Sequence, residues 1–137
     1  MTKLKLKIAT PEKEIFDSIV DEVYVHTPEG EVGILPGHVN LMAQISPGEL
    51  RIKEGGKINY LATGGGILQV SKNQVFIMTD LAEHAADIDE KMVEEAKKRA
   101  EDALEQKLDN EEYALTLTNL EKALAQLKVK RRFRSRI

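Results

Sequence analysis

The sequence predicts an α+β chain: an N-terminal antiparallel β-sandwich followed by a C-terminal antiparallel α-helical hairpin. Up to His84 the apolar residues alternate with period two, in short runs set between glycine and proline clusters. From Ala85 onward they recur every three or four residues. Charge changes at the same place: residues 1–84 carry 8 basic and 11 acidic side chains, residues 85–137 carry 12 and 12. The expected parts are therefore a sandwich over 1–84 and a two-helix arm over 85–137. At 137 residues the chain can bury one full core plus a small appendage.

The strands come first. Lys3-Leu4-Lys5-Leu6-Lys7-Ile8 alternates polar and apolar, as a half-buried strand does, because successive side chains point to opposite faces. Similar runs follow at Glu22 to His26, Leu41 to Ile45, Glu49 to Lys53, Lys57 to Ala62, Gly66 to Val70 and Val75 to Thr79. Turn formers separate them: Pro28-Glu29-Gly30, Pro36-Gly37, Pro47-Gly48, Gly55-Gly56, Gly64-Gly65 and Ser71-Lys72-Asn73. Such spacing suits a sandwich or flattened barrel.

Two helices follow. Ile88, Met92, Ala96, Ala100, Ala103, Leu104 and Leu108 form one apolar stripe, and Ala114, Leu117, Leu120, Leu124 and Leu127 a second, with a break near Asp109-Asn110. Asp87 with Glu90 and Asp109 with Glu112 read as acidic N-caps. Glu94 to Lys98 and Glu95 to Arg99 are spaced for ion pairs along one helix. The hairpin is electrically lopsided: Asp87 to Glu112 holds 11 acids and 5 bases, and Glu121 to Ile137 holds 1 acid and 7 bases. An antiparallel hairpin therefore brings the basic end back to the acidic start of its first helix. Alanines at 96, 100, 103, 114 and 123 let the helices approach closely but remove little apolar surface from water. Ordering the backbone costs about 1–2 kcal/mol per residue, so the hairpin is expected to be marginal alone and to depend on whatever surface it lies against.

Composition excludes several functions. With 20 basic against 23 acidic residues the net charge is −3, which argues against binding nucleic acid through bulk positive charge. There is no cysteine, hence no disulfide, thiolate metal site or thiol nucleophile. No run approaches the roughly 18 apolar residues of a spanning helix, and the first residues alternate instead of forming a signal-peptide block, so the chain reads as soluble and unprocessed. His26, His38 and His84 lie far apart and lack helical metal-ligand spacing, so no metal site is expected. His38 reads as a turn residue bonding nearby backbone. The serines at 18, 46, 71 and 135 have no nucleophile-elbow context, so no catalytic residue is assigned. Gly64-Gly65-Gly66 precedes a strand, not a helix, and lacks a P-loop lysine, so it reads as a tight turn or bulge. The strongest local charge is the tail from Lys128 to Arg136, which favours an acidic partner surface, protein or nucleic acid.

Gly30-Glu31-Val32-Gly33-Ile34-Leu35-Pro36-Gly37-His38-Val39-Asn40-Leu41, with Thr10-Pro11 upstream and Gly64-Gly65-Gly66-Ile67-Leu68-Gln69-Val70 downstream, resembles the epsilon-subunit family of bacterial F-type ATP synthases. The resemblance spans the whole chain. It implies a non-catalytic subunit of the rotor's central stalk, peripheral on the cytoplasmic face of the bacterial membrane and attached there only through partners. Those partners are the gamma subunit, the c-ring and the catalytic alpha/beta head. It further implies that the hairpin can fold down on the sandwich or extend into the head and inhibit ATP hydrolysis. On this resemblance the loop from Pro28 to Val39 is a subunit contact, with Glu31, Leu35, Pro36 and His38 as its candidates, and Lys130, Arg131, Arg132 and Arg134 form a regulatory tail suited to acidic surfaces of the head.

Some members bind ATP on the folded hairpin through Ile or Leu, Asp, two variable residues, Arg and Ala. Here Ile88 and Asp89 match and Arg99 matches a later basic position. Met92 and Val93 replace the arginine and alanine, and Gln126 stands where the ATP-binding members carry a second arginine. Two missing cations predict weak or absent nucleotide binding, and no cofactor is expected. The competing reading, a freestanding binding module whose tail grips nucleic acid, finds only Phe133 as an aromatic ring in the tail, too little for stacking single strands.

Overall fold

Ten strands make up the first part of the computed structural model, which describes residues 2–136; Met1 and Ile137, the outermost residues of the two expected parts, lie outside the described residues. They are β1 (Leu4–Ala9), β2 (Glu14–Val20), β3 (Glu22–Thr27), β4 (Gly30–Ile34), β5 (Leu41–Ile45), β6 (Gly48–Glu54), β7 (Lys57–Thr63), β8 (Gly66–Ser71), β9 (Gln74–Thr79) and β10 (Ala82–His84). The seven alternating runs all form strands. Three strands were not expected. β2 lies at a sheet edge and mixes half-buried and exposed positions without clean alternation, and β10 has only three residues. The third, β4, corrects the reading of residues 28–39 as one continuous loop. Glycines at 30 and 33 hide its alternation, yet it pairs with β3 from Thr27↔Gly30 to Val23↔Ile34. Gly33 is there because a Cβ at that point would meet the Tyr24 ring at 2.9 Å.

Two five-stranded sheets face each other, ordered β2-β1-β9-β8-β5 and β10-β7-β6-β3-β4. Pairings among them are antiparallel with one exception, β1 with β9, which run parallel from Lys5↔Gln74 to Ala9↔Met78. The chain returns to β1 only after β8, so no hairpin turn dictates that strand's direction. Leu4, Leu6 and Ile8 from β1, Leu50 and Ile52 from β6, and Val75 and Ile77 from β9 enter the core on alternate positions and are fully buried. Each such side chain contributes about 1.5–3 kcal/mol, so the sandwich has a stabilising core of its own.

A single 3₁₀ turn, Ala85–Asp87, links the sandwich to α1 (Glu90–Leu104), and α2 (Asn110–Arg136) follows after a short connection. The cap of α1 is Asp89, whose side chain accepts from the Met92 amide at 3.2 Å. This corrects the expected Asp87, which the 3₁₀ turn absorbs. Asp109 caps α2 as expected, accepting from the Glu112 amide at 2.8 Å. The helix spans two faces at once: α2 lies against β6 and β7, and α1 packs chiefly on α2.

Candidate functional site

The outer face of β6 and β7 is where sandwich and arm meet. Register places Glu49 opposite Ala62 and Arg51 opposite Tyr60, so these four side chains share one face. Ala62 is fully buried beneath the arm. Around it lies a second apolar cluster of Ala62, Ala85, Ile88, Val93, Ala123, Leu127 and Val129, edged by Tyr60 and Phe133. Three of its seven buried members are alanines, so the seat fits closely while burying modest apolar area.

The buried face of α2 differs from the expected stripe. Ala123 and Leu127 are buried, but so are Ala125 and Val129, whereas Ala114, Leu117 and Leu124 are exposed. A helix bracketed between a second helix and a sheet divides its apolar residues over two sides, and the single-stripe reading does not anticipate that. All of its buried positions fall within residues 123–129, leaving Tyr113 and Leu115 of its first turns exposed.

Polar contacts frame the apolar seat. Lys122 pairs with Asp80 at 2.6 Å, and Gln126 donates to Glu83 at 2.9 Å. Lys130 donates to the carbonyls of Ala85 and Ala86 at 3.1 and 3.2 Å. The basic tail does return to the acidic start of α1: Arg131 meets Glu90 and Glu94 at 3.1 and 2.7 Å, and Arg134 meets Glu90 at 2.9 Å. The expected pairs along α1, Glu94 with Lys98 and Glu95 with Arg99, are not among the ion pairs of the described residues; Glu94 is taken by Arg131, whose planar fork suits carboxylates better than a lysine does. Arg132 and Arg136 turn the other way, to Glu49 on the sandwich at 3.5 and 3.0 Å. Beside them Arg51 bonds both Glu31 and Glu49 and lies 4.9 Å over the Tyr24 ring. Partial burial opposes its charge, but Glu31 and Glu49 outweigh that and hold its pKa above the ordinary arginine value. Next to it the Tyr24 hydroxyl donates to Glu22 at 2.6 Å, which raises the pKa of the phenol and lowers that of the carboxyl.

The four candidate contact residues are not brought together. Glu31 stands near the start of β4 and is engaged by Arg51, whereas Leu35, Pro36 and His38 lie beyond its far end, about 13 Å along the strand direction. There the Gly37 amide donates to the Asn73 side chain at 2.7 Å, and His38 Nδ1 donates to the Val39 carbonyl at 2.7 Å, a backbone-bonding turn role. Leu35 and Val39 are exposed at this tip. The sequence reading also passed over Met42, Ile67 and Met78, which are more than half exposed on the outer face of β5, β8 and β9, with Ile67 directly opposite Met78. Their outward places in the alternation were the available signal.

The candidate nucleotide residues are likewise dispersed. Arg99 lines a cleft of about 440 Å³ between the arm and the sandwich, together with Asp80, Lys122, Thr116, Asn119 and Gln126. Ile88 is buried in the apolar seat and Asp89 is spent on the α1 cap. Gly64 and Gly66, at the turn from β7 into β8, lie close against Asp80 and the end of β9, and Asp80 lines this cleft. Among the described residues no cluster of three His, Cys, Asp or Glu side chains could hold a metal ion, and no helix is long and apolar enough to cross a membrane.

Comparison with known proteins gives consistent matches. Residues 3–85 match the family model for the ATP synthase delta/epsilon chain beta-sandwich domain, and residues 86–131 that for the delta/epsilon chain long alpha-helix domain. The ATP synthase epsilon chain of Nitrosococcus oceani is 36% identical over 135 residues, covering 98% of this chain and 96% of the relative. That of Caldicellulosiruptor saccharolyticus is 37% identical over 129 residues, covering 94% of each. Among solved structures, a chain of the Euglena gracilis mitochondrial ATP synthase (OSCP/F1/c-ring, rotational state 1) is similar with a TM-score of 0.77 and 26% identity, over 91% of this chain and 79% of that one. A chain from the central stalk and c-ring of the Tetrahymena thermophila mitochondrial enzyme shares the fold, with a TM-score of 0.64 and 20% identity.

Proposed function

The chain belongs to the ATP synthase delta/epsilon family, and from that premise we propose that it is a non-catalytic central-stalk subunit whose sandwich joins the gamma subunit to the c-ring and whose arm inhibits ATP hydrolysis by the catalytic head. Residues 1–84 are the attachment domain and 85–137 the regulatory arm. The subunit sits peripherally on the cytoplasmic face of a bacterial membrane and reaches it through its partners. Exposed apolar side chains at the Leu35 and Val39 tip and across Met42, Ile67 and Met78 support attachment, since side chains of that kind on one domain mark surfaces that partners cover.

One observation carries the regulatory half. The arm is seated by an alanine-rich apolar patch framed by ion pairs, a contact that holds it in place without the burial that would make it permanent. ATP hydrolysis by a head assembled with the full chain, compared with one assembled with a chain ending at Ala86, tests this directly. Truncation is expected to speed hydrolysis severalfold while assembly is retained. Equal rates would leave only the coupling role.

A further inference from the structure

Glu49 is the point at which the end of the arm meets the sandwich. Its side chain is 9% exposed, and its two oxygens face three guanidinium groups: Arg136 at 3.0 Å, and Arg132 and Arg51 at 3.5 Å. Arg51 is held as well by Glu31 from β4, which leaves Glu49 largely for the two arginines of α2. Arg136 is fixed a second time, 4.0 Å over the ring of Tyr60, whose edge meets Phe133 with centroids 6.2 Å apart. Arg132 and Arg136 are one helical turn apart, so one movement of that turn removes both.

We propose that Glu49 is the catch of the arm: a single, mostly buried carboxylate that keeps the last turns of α2 on the sandwich and whose loss of Arg132 and Arg136 starts the arm's release. The apolar seat ends near Val129 and Phe133, and beyond it α2 is held by charge. Guanidinium–carboxylate pairs drawn partly out of water are stronger than exposed ones, yet they exchange readily for another anion. An acidic protein surface that offers these arginines several carboxylates therefore outcompetes the lone Glu49. Lys122 and Gln126 hold the middle of α2 to Asp80 and Glu83, so release runs from the C-terminus inward. That the catch controls hydrolysis rests on the inhibitory reading of the arm; that it holds the arm does not.

Hydrogen exchange measured on the full-length chain tests it with Glu49→Gln, Arg136→Gln and the two combined. Glu49→Gln is nearly isosteric, and the amides of β1, β8 and β9 report within the same sample that the sandwich is folded. Each single change is expected to speed exchange across residues 130–136 about tenfold, and the double change by less than the two effects combined, because both remove the Glu49–Arg136 pair. Raising salt from about 0.05 to about 0.5 M should speed exchange in the unmodified chain and in Glu49→Gln alike, through the exposed pairs of Arg131 and Arg134 with α1, and leave a difference between the two that belongs to the shielded Glu49 contact. Exchange within about twofold of the unmodified chain for both single changes would overturn the catch. Hydrolysis by the assembled head separates the two readings. Faster exchange in the variants, with equal hydrolysis for the full chain and the chain ending at Ala86, sustains the catch and removes the inhibitory role; unchanged exchange beside a truncation effect removes the catch and sustains that role.

Discussion

A methyl group added at Gly66 would meet the Met78 carbonyl oxygen at 2.0 Å and the Thr79 Cα at 2.8 Å. Both are backbone atoms of β9, so relief requires two strands to part. Gly66→Ala is expected to lower sandwich stability by about 2–4 kcal/mol, read from the urea midpoint. At Gly64 the nearest atom is the Asp80 carboxylate oxygen, also at 2.0 Å, and a side-chain end can swing away. Gly64→Ala should therefore cost the sandwich less, but it displaces the acid that holds Lys122, and faster amide exchange in the middle of α2 is the expected result. Asp109 adds a pH dependence. The Glu112 amide bonds its carboxylate and lowers its pKa. A carboxyl depressed in the folded state contributes stability that is fully present above its unfolded pKa, about 3.9, and is lost as pH falls through the lower folded value. The Asp109 carboxyl and Glu112 amide resonances should titrate together below the ordinary aspartate range; a midpoint at or above that range would contradict the cap.

At the scale of the element, α2 is two helices in one: a first half in which Leu115 and Leu117 are exposed, and a second half whose small and branched residues are buried against the sheet and α1. Leu127→Ala should weaken arm docking by about 2–3 kcal/mol, seen as faster exchange throughout residues 120–136 with the strands unmoved. Leu117→Ala, at an exposed position, should change it by no more than about 0.5 kcal/mol. The stripe written in the sequence ranks these two leucines alike, and the reason it fails is physical. Periodicity reveals one buried face, whereas this helix has two partners and much of its attachment is polar. Strands were more legible because each has one buried face: Leu4, Leu6 and Ile8 announce β1, while glycines at 30 and 33 silence β4 and shortness hides β10. The basic return of the tail to α1 could be read from charge alone. Glu49 could not, because a carboxylate in an alternating strand looks like any solvated residue until the arm is laid over it.

For the whole molecule, the contact between its two parts also decides what the cleft can bind. A triphosphate needs cations that are free to meet it. In this cleft Lys122 is paired with Asp80, Gln126 donates to Glu83, and Met92, which replaces the motif arginine, is 65% exposed and not among the lining residues. Arg99 is left to act with little help, and Asp80 adds an anion that a phosphate would have to pass. Calorimetric titration of the full chain with ATP is expected to show no saturable binding below about millimolar concentration, since each missing charge-assisted hydrogen bond removes about 1.5–3 kcal/mol. Gln126→Arg places a cation on the lining of the cleft and should tighten ATP binding by about ten- to a hundredfold, by the same charged hydrogen bond. ATP would then stabilise the docked arm through linkage, slowing exchange in α2 as nucleotide is added. A micromolar constant for the unmodified chain would mean that Lys122 leaves Asp80 more easily than a 2.6 Å ion pair implies, and that the arm is held down by nucleotide as well as by Glu49.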